Sequence, residues 1–144
     1  MIEQPYPYYV LEEKTQYIFI SIGEKSVAKI VFITPLRDNI WNLGFGDLEA
    51  GGFVNDSVVT NNQDALKVVR TVAKIAIDFL AKYPDCELEI NPVDEKRKRL
   101  YNNIFRKYFK EILPVFTVIA TFGEEEENYS SLKYYDLFRI KFKS

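Results

Sequence analysis

The opening third of the chain is written in short runs of β-branched and aromatic residues. Residues 16–23 (QYIFISIG), 26–34 (SVAKIVFIT) and 40–46 (IWNLGFG) are separated by Glu24-Lys25 and by a stretch from Pro35 to Asn39. Closely spaced runs of this kind predict an antiparallel meander, with Pro35 ending the second run. A short extended piece at 8–11 precedes it. Residues 47–62 then read as irregular, turned at Gly51-Gly52, with Phe53, Val58 and Val59 offering a small extra strand.

The period changes at Asp64. Over 64–83, Lys67, Arg70, Thr71, Lys74, Asp78, Ala81 and Lys82 fall on one side. Ala65, Val69, Val72, Ala76, Phe79, Leu80 and Tyr83 fall on the other, the pattern of an amphipathic helix. Thr60-x-x-Gln63 has the spacing of a capping box, and Pro84-Asp85 closes the helix. Residues 86–91 (CELEIN) alternate, with Cys86, Leu88 and Ile90 inward and Glu87 and Glu89 outward, which predicts a half-buried strand.

A second helix begins at Asn91-Pro92, a capping residue followed by a proline at the first helical position, and runs to Leu113 before Pro114. Its apolar stripe is Leu100, Tyr101, Ile104, Phe105, Tyr108, Phe109 and Ile112. A strand at 115–122, an acidic loop at 123–131 and a strand at 134–143 complete the chain. The order β-β-β-α-β-α-β-β predicts an α+β (mixed α/β) fold, a single domain over 1–144. It combines a mixed, mostly antiparallel sheet with two packed helices. The crossovers make the strands at 40–46, 86–91 and 115–122 locally parallel.

Composition narrows the chemistry. With 144 residues, 47% hydrophobic and 15% aromatic, the chain buries a core rather than staying disordered. Nineteen basic against 21 acidic residues leave a net charge of -2, too little field to hold a nucleic acid or an anionic membrane without a local patch. The single Cys86 rules out an intrachain disulfide and a thiolate zinc site, and suits a reducing cytoplasm. No signal peptide or membrane span is expected. The chain contains no histidine, which removes His-based triads and imidazole metal ligands. No metal or other cofactor is expected.

Candidate chemistry is concentrated where the helices begin. Gly44, Gly46 and Asp47 end a strand, Asn61 and Asn62 precede the first helix, and Arg97, Arg99 and Tyr101 open the second. Helix N-termini beside strand ends offer free N–H groups to an anion, so these eight residues form a candidate pocket for an anionic small molecule. The alternative is that each polar residue caps its own helix. Lys96, Arg97, Lys98, Arg99, Arg106, Lys107 and Lys110 against three acids give 94–111 a net charge of +4, a basic outer face that suggests phosphate contacts. The rings between them fall at core spacing. Glu124 to Glu127 read as a mobile loop of like charges.

Asn42-Leu43-Gly44-Phe45-Gly46-Asp47, Val58-Val59-Thr60-Asn61-Asn62 and Arg97-Lys98-Arg99-Leu100-Tyr101 resemble an uncharacterised bacterial family, common in Bacteroidota and catalogued only as a domain of unknown function. With the hairpin at 17–32 the resemblance covers most of the chain, and it implies no activity. The element order is also similar to the latter part of GCN5-related acetyltransferases. That resemblance implies acyl-CoA binding at Asn61-Asn62, with Asp47 or Tyr101 as acid or base.

Without histidine, a paired catalytic centre or a phosphate loop, the chain reads as a small, cytoplasmic, non-catalytic binding or interaction protein, a homodimer held by surface tyrosine and phenylalanine. A degenerate acetyltransferase-like ligand binder is the alternative. A nucleic-acid binder working through the second helix comes after it, and no membrane partner is expected.

Overall fold

A computed structural model describes residues 4–11, 15–48, 54–55 and 64–143. The strands are β1 (Tyr9–Leu11), β2 (Gln16–Ile22), β3 (Ser26–Arg37), β4 (Ile40–Leu48), β5 (Val54–Asn55), β6 (Glu87–Ile90), β7 (Phe116–Phe122), β8 (Glu125–Asn128) and β9 (Leu137–Phe142). Helix α1 (Ala65–Lys82) follows β5, and α2 (Glu95–Ile112) follows β6. The strands hydrogen-bond in the order β1-β2-β3-β4-β6-β9-β7-β8, with β5 on β4. The expected class, two helices and a mixed, mostly antiparallel sheet, is the class observed.

The backbone gathers into two compact units. One comprises Met1–Thr34 with Gly44–Asp78, the other Pro35–Leu43 with Phe79–Ser144, so β3, β4 and α1 contribute to both.

In the first unit β1, β2 and β3 form an antiparallel meander, with Tyr17 opposite Val31 and Phe19 opposite Lys29. Pairing places Tyr17, Phe19, Ser21, Lys29 and Val31 on one face, and α1 covers that face. The backbone N–H of Tyr6 donates to Thr71 Oγ1 at 2.8 Å, and Thr71 donates to the Lys67 carbonyl. Thr71, expected on the wet side of α1, is fully buried beside Ile75 and Ala76. Its hydroxyl has both a donor and an acceptor, so burial costs it little.

In the second unit β4 runs parallel to β6, with Trp41 opposite Leu88. Strand β9 lies between β6 and β7 and is antiparallel to both. The strands β6 and β7 therefore share a direction without pairing, a correction to the expected run of adjacent parallel strands. The last strand inserts because Phe138 and Ile140 supply the middle of the apolar face, opposite Leu88, Val118 and Ala120. Helix α2 covers that face, with the rings of Phe105 and Phe138 stacked at 4.2 Å. Trp41 meets Phe79 and Tyr83 edge-on and stacked, as its strand position predicted.

Three boundaries differ from expectation. Strand β3 continues through Pro35 to Arg37 and turns at Asp38, whose φ of 44° is a conformation that a short polar side chain tolerates. Helix α2 starts at Glu95, not at Pro92, because the Asp94 carboxylate accepts from Arg97 N at 2.8 Å and caps it. Residues 125–128 form strand β8 rather than a loop. The small strand after β4 lies at Val54–Asn55, while Phe53, Val58 and Val59 lie outside the described residues.

Candidate functional site

Strand alternation decides where the first unit keeps its charges. Lys29 and Asp47 both point to the α1 side, and Lys29 Nζ donates to Asp47 Oδ1 at 2.5 Å with both side chains buried. The same ammonium lies 5.9 Å from the Phe45 ring. Beside it, Asp64 Oδ2 accepts from the hydroxyls of Ser21, at 2.6 Å, and Tyr6, at 2.5 Å. Burial first, then the bond to Asp64, pushes the Tyr6 phenol above its ordinary range.

Among the described residues of the first unit, the opposite face of β1, β2 and β3 carries no charge. Cross-strand pairing puts Tyr9 beside Ile18, Ile18 beside Ile30, Ile20 beside Ala28 and Gln16 beside Phe32. Tyr9 (67%), Leu11 (39%), Ile20 (41%) and Ile22 (62%) are exposed there. Gly44 belongs to this face. A Cβ at Gly44 would stand 2.1 Å from Phe32 Cε2, so the Phe32 ring lies flat on the glycine.

The second unit differs on its outer face. Its helix-covered face is apolar, and its other face holds an ionic ladder. Arg37 donates to Glu89 at 2.8 Å, and Glu89 is cross-strand partner to Arg139. Arg139 donates to Glu87 at 3.1 Å and to both oxygens of Glu126 at 2.9 and 3.3 Å. That two-pronged bond holds Glu126 below the usual carboxylate range. Glu89 was expected in solvent but is 3% exposed, covered by its arginine.

Polar groups also join α2 to the chain around β9. Asn102 Nδ2 donates to the Tyr135 carbonyl and its Oδ1 accepts from Tyr135 N, both at 2.8 Å, so one amide mimics a strand neighbour. Lys98 pairs with Asp136, whose carboxyl is lowered first by that lysine and then by Gly123 N–H. Nothing in the apolar pattern of α2 marked Asn102 or Arg97 as buried.

The eight candidate residues fall as follows. Gly44 underlies Phe32, Gly46 is buried in β4, and Asp47 is committed to Lys29. Arg97 and Tyr101 are brought together in α2, with Arg97 Nη1 at 3.5 Å from the Tyr101 hydroxyl, both buried. Arg99, two residues from each and on the other side of the helix, is exposed. Asn61 and Asn62 lie outside the described residues. At α2 the cap is Asp94 rather than the expected Asn91, and Asp47 as a free acid or base is replaced by a buried ion pair. Among the described residues, no three acid or cysteine side chains group as metal ligands.

Three comparisons bear on kinship. The model of a family described as "Family of unknown function (DUF6934)" matches residues 2–143, in line with the resemblance carried by the β4 and α2 segments. The chain is 32% identical over 104 residues to a Ribonuclease 3 of Shewanella sediminis (strain HAW-EB3), a match covering 69% of this chain and 46% of that protein. The chain thus spans less than half of that relative's length. No solved structure matches.

Proposed function

We propose that this chain, which belongs to the family of unknown function DUF6934, is a cytoplasmic, non-catalytic interaction protein that pairs with a second copy of itself. The observation that carries this reading is the uncharged face of β1, β2 and β3. The largest apolar patch on a soluble monomer, typically about 300–600 Å², is often a functional surface. Two seven-residue strands and the three residues of β1, about 4.8 Å apart and rising about 3.3 Å per residue, give the face an area of roughly 270 Å².

A second copy is the occupant this face suits. A two-fold interface sets a patch against itself, so any fixed charge at its centre would meet its own kind. Here Ile18, Ile20, Ile22, Ala28, Ile30 and Phe32 put none there. Within the first unit, Lys29, Asp47 and Asp64 all sit on the other face. A footprint this small belongs with weak, reversible interfaces, so a dissociation constant on the order of 10 μM is expected. The fixed pairing of Asp47 with Lys29 weighs against a general acid or base in that strand.

Sedimentation velocity over a concentration series tests the proposal. A monomer–dimer equilibrium is expected, shifted to monomer by Ile20→Lys. A strict monomer at tens of micromolar excludes it.

A further inference from the structure

We infer that the outer face of α2 binds the phosphate backbone of a double-stranded nucleic acid. This goes beyond the self-association proposed above and does not rest on it.

The charge of the whole chain argues against such a partner, but its distribution argues for one. Residues 94–111 hold seven basic and three acidic residues, leaving twelve basic and eighteen acidic elsewhere, so a segment of +4 stands on a remainder of -6. The fold then sorts these cations. Arg97 is buried and Lys98 is bound to Asp136. Lys96, Arg99, Arg106, Lys107 and Lys110 are exposed, as is Asn103. At about 100° per residue these six positions fall within an arc of roughly 100°, one stripe along the helix. Among the described residues no carboxylate pairs with Arg99, Arg106, Lys107 or Lys110; Arg106 donates to Asn103, and Lys107 lies over the Tyr108 ring. Lys96 to Lys110 spans about 21 Å at about 1.5 Å per residue, with one bend at Tyr108. That length covers about six nucleotides of one duplex strand at about 3.4 Å each.

Other occupants fit less well. A membrane-surface helix needs a free apolar face, whereas α2 turns Tyr101, Phe105 and Ile112 into the core. Stacking of unpaired bases needs open rings on the stripe, and Tyr101 and Phe105 are buried in the core while the half-buried Tyr108 ring lies under Lys107, so contact is with the backbone. The acidic strand of a second copy has Glu126 and Glu127 already committed to Arg139 and Lys133.

The test is fluorescence anisotropy with labelled RNA and DNA duplexes of about 20 base pairs, long enough to cover the stripe. Four phosphate contacts predict a loss of affinity of roughly 100-fold between about 50 and about 200 mM salt. Arg99→Ala with Arg106→Ala should flatten the logarithmic salt slope by about two, and the corresponding double Lys variant should keep it. Circular dichroism of each variant establishes that it is folded. Absence of binding at about 50 mM salt overturns the inference. So does an unchanged slope in the Ala double variant, tighter binding to single strands, or binding to phosphatidylserine vesicles in place of duplexes.

Discussion

Both units bury apolar side chains under a helix, but they treat the other face of the sheet differently. In the first, α1 covers Tyr17, Phe19 and Val31 together with the buried Lys29–Asp47 pair, and Ile20 and Ile22 are exposed on the outer face. In the second, Phe138, Ile140, Val118 and Leu88 lie under α2, and the outward face carries Arg37, Glu87, Glu89 and Arg139. A sheet with one wet face normally alternates apolar inside and polar outside, as the second unit does. The departure in the first unit is the observation on which the proposed self-association rests.

The same contrast holds at the sheet edges. Strand β8 carries Glu125, Glu126 and Glu127, which discourage pairing with another chain. Strand β1 offers Tyr9, Val10 and Leu11 and is three residues long, a short edge.

Removing one member of the buried pair should have the largest effect. Lys29→Met leaves Asp47 without its ammonium on the covered face and should cost about 3–5 kcal/mol by chemical denaturation, with much of it restored by adding Asp47→Leu. If the single variant is nearly neutral, the first unit does not depend on that pair. In the second unit, Phe138→Ala removes the ring stacked on Phe105 and should cost about 3–4 kcal/mol. Gly44→Ala comes next. Its new methyl meets the Phe32 ring, which must swing away across the outer face, for about 1–2 kcal/mol, and Phe32→Leu should recover part of it.

The smallest effect concerns the ionic ladder. Glu126 and Asp136 have carboxyls lowered by Arg139 and Lys98 respectively. Because their folded values lie below the unfolded ones, their stabilisation is complete above the unfolded carboxylate range and disappears as pH falls through the folded values. Glu126 is largely exposed, so Glu126→Gln should lower stability by only a few tenths of a kcal/mol at neutral pH. Below about pH 3 the variant and the parent should converge. Curves that stay parallel down to acid pH would remove that bridge from the account.

Much of the architecture was legible in the chain. Period-two runs marked β2, the start of β3, β4, β6, β7 and β9, and 3.6-residue spacing marked both helices, because these patterns follow directly from which face is dry. What escaped notice was set by long-range contacts. Pro35 remains in a strand because the turn comes later, at Asp38. The glutamates of β8 form a strand because Arg139 and Lys133 neutralise two of them. Thr71 and Asn102 are buried because the backbones of Tyr6 and Tyr135 satisfy them. Of the candidate residues, Arg97 and Tyr101 lie together in α2, while Asp47 pairs with a residue the sequence did not single out. Lys29, eighteen residues before Asp47, has no local signal that links the two.

The most direct test is sedimentation velocity on the parent chain and on Ile20→Lys with Ile22→Lys, side by side at tens of micromolar. An uncharged face that meets its own copy predicts a concentration-dependent dimer for the parent, and a folded monomer with an unchanged denaturation midpoint for the variant. A parent that stays monomeric, or a variant that dimerises as well as the parent, would contradict it.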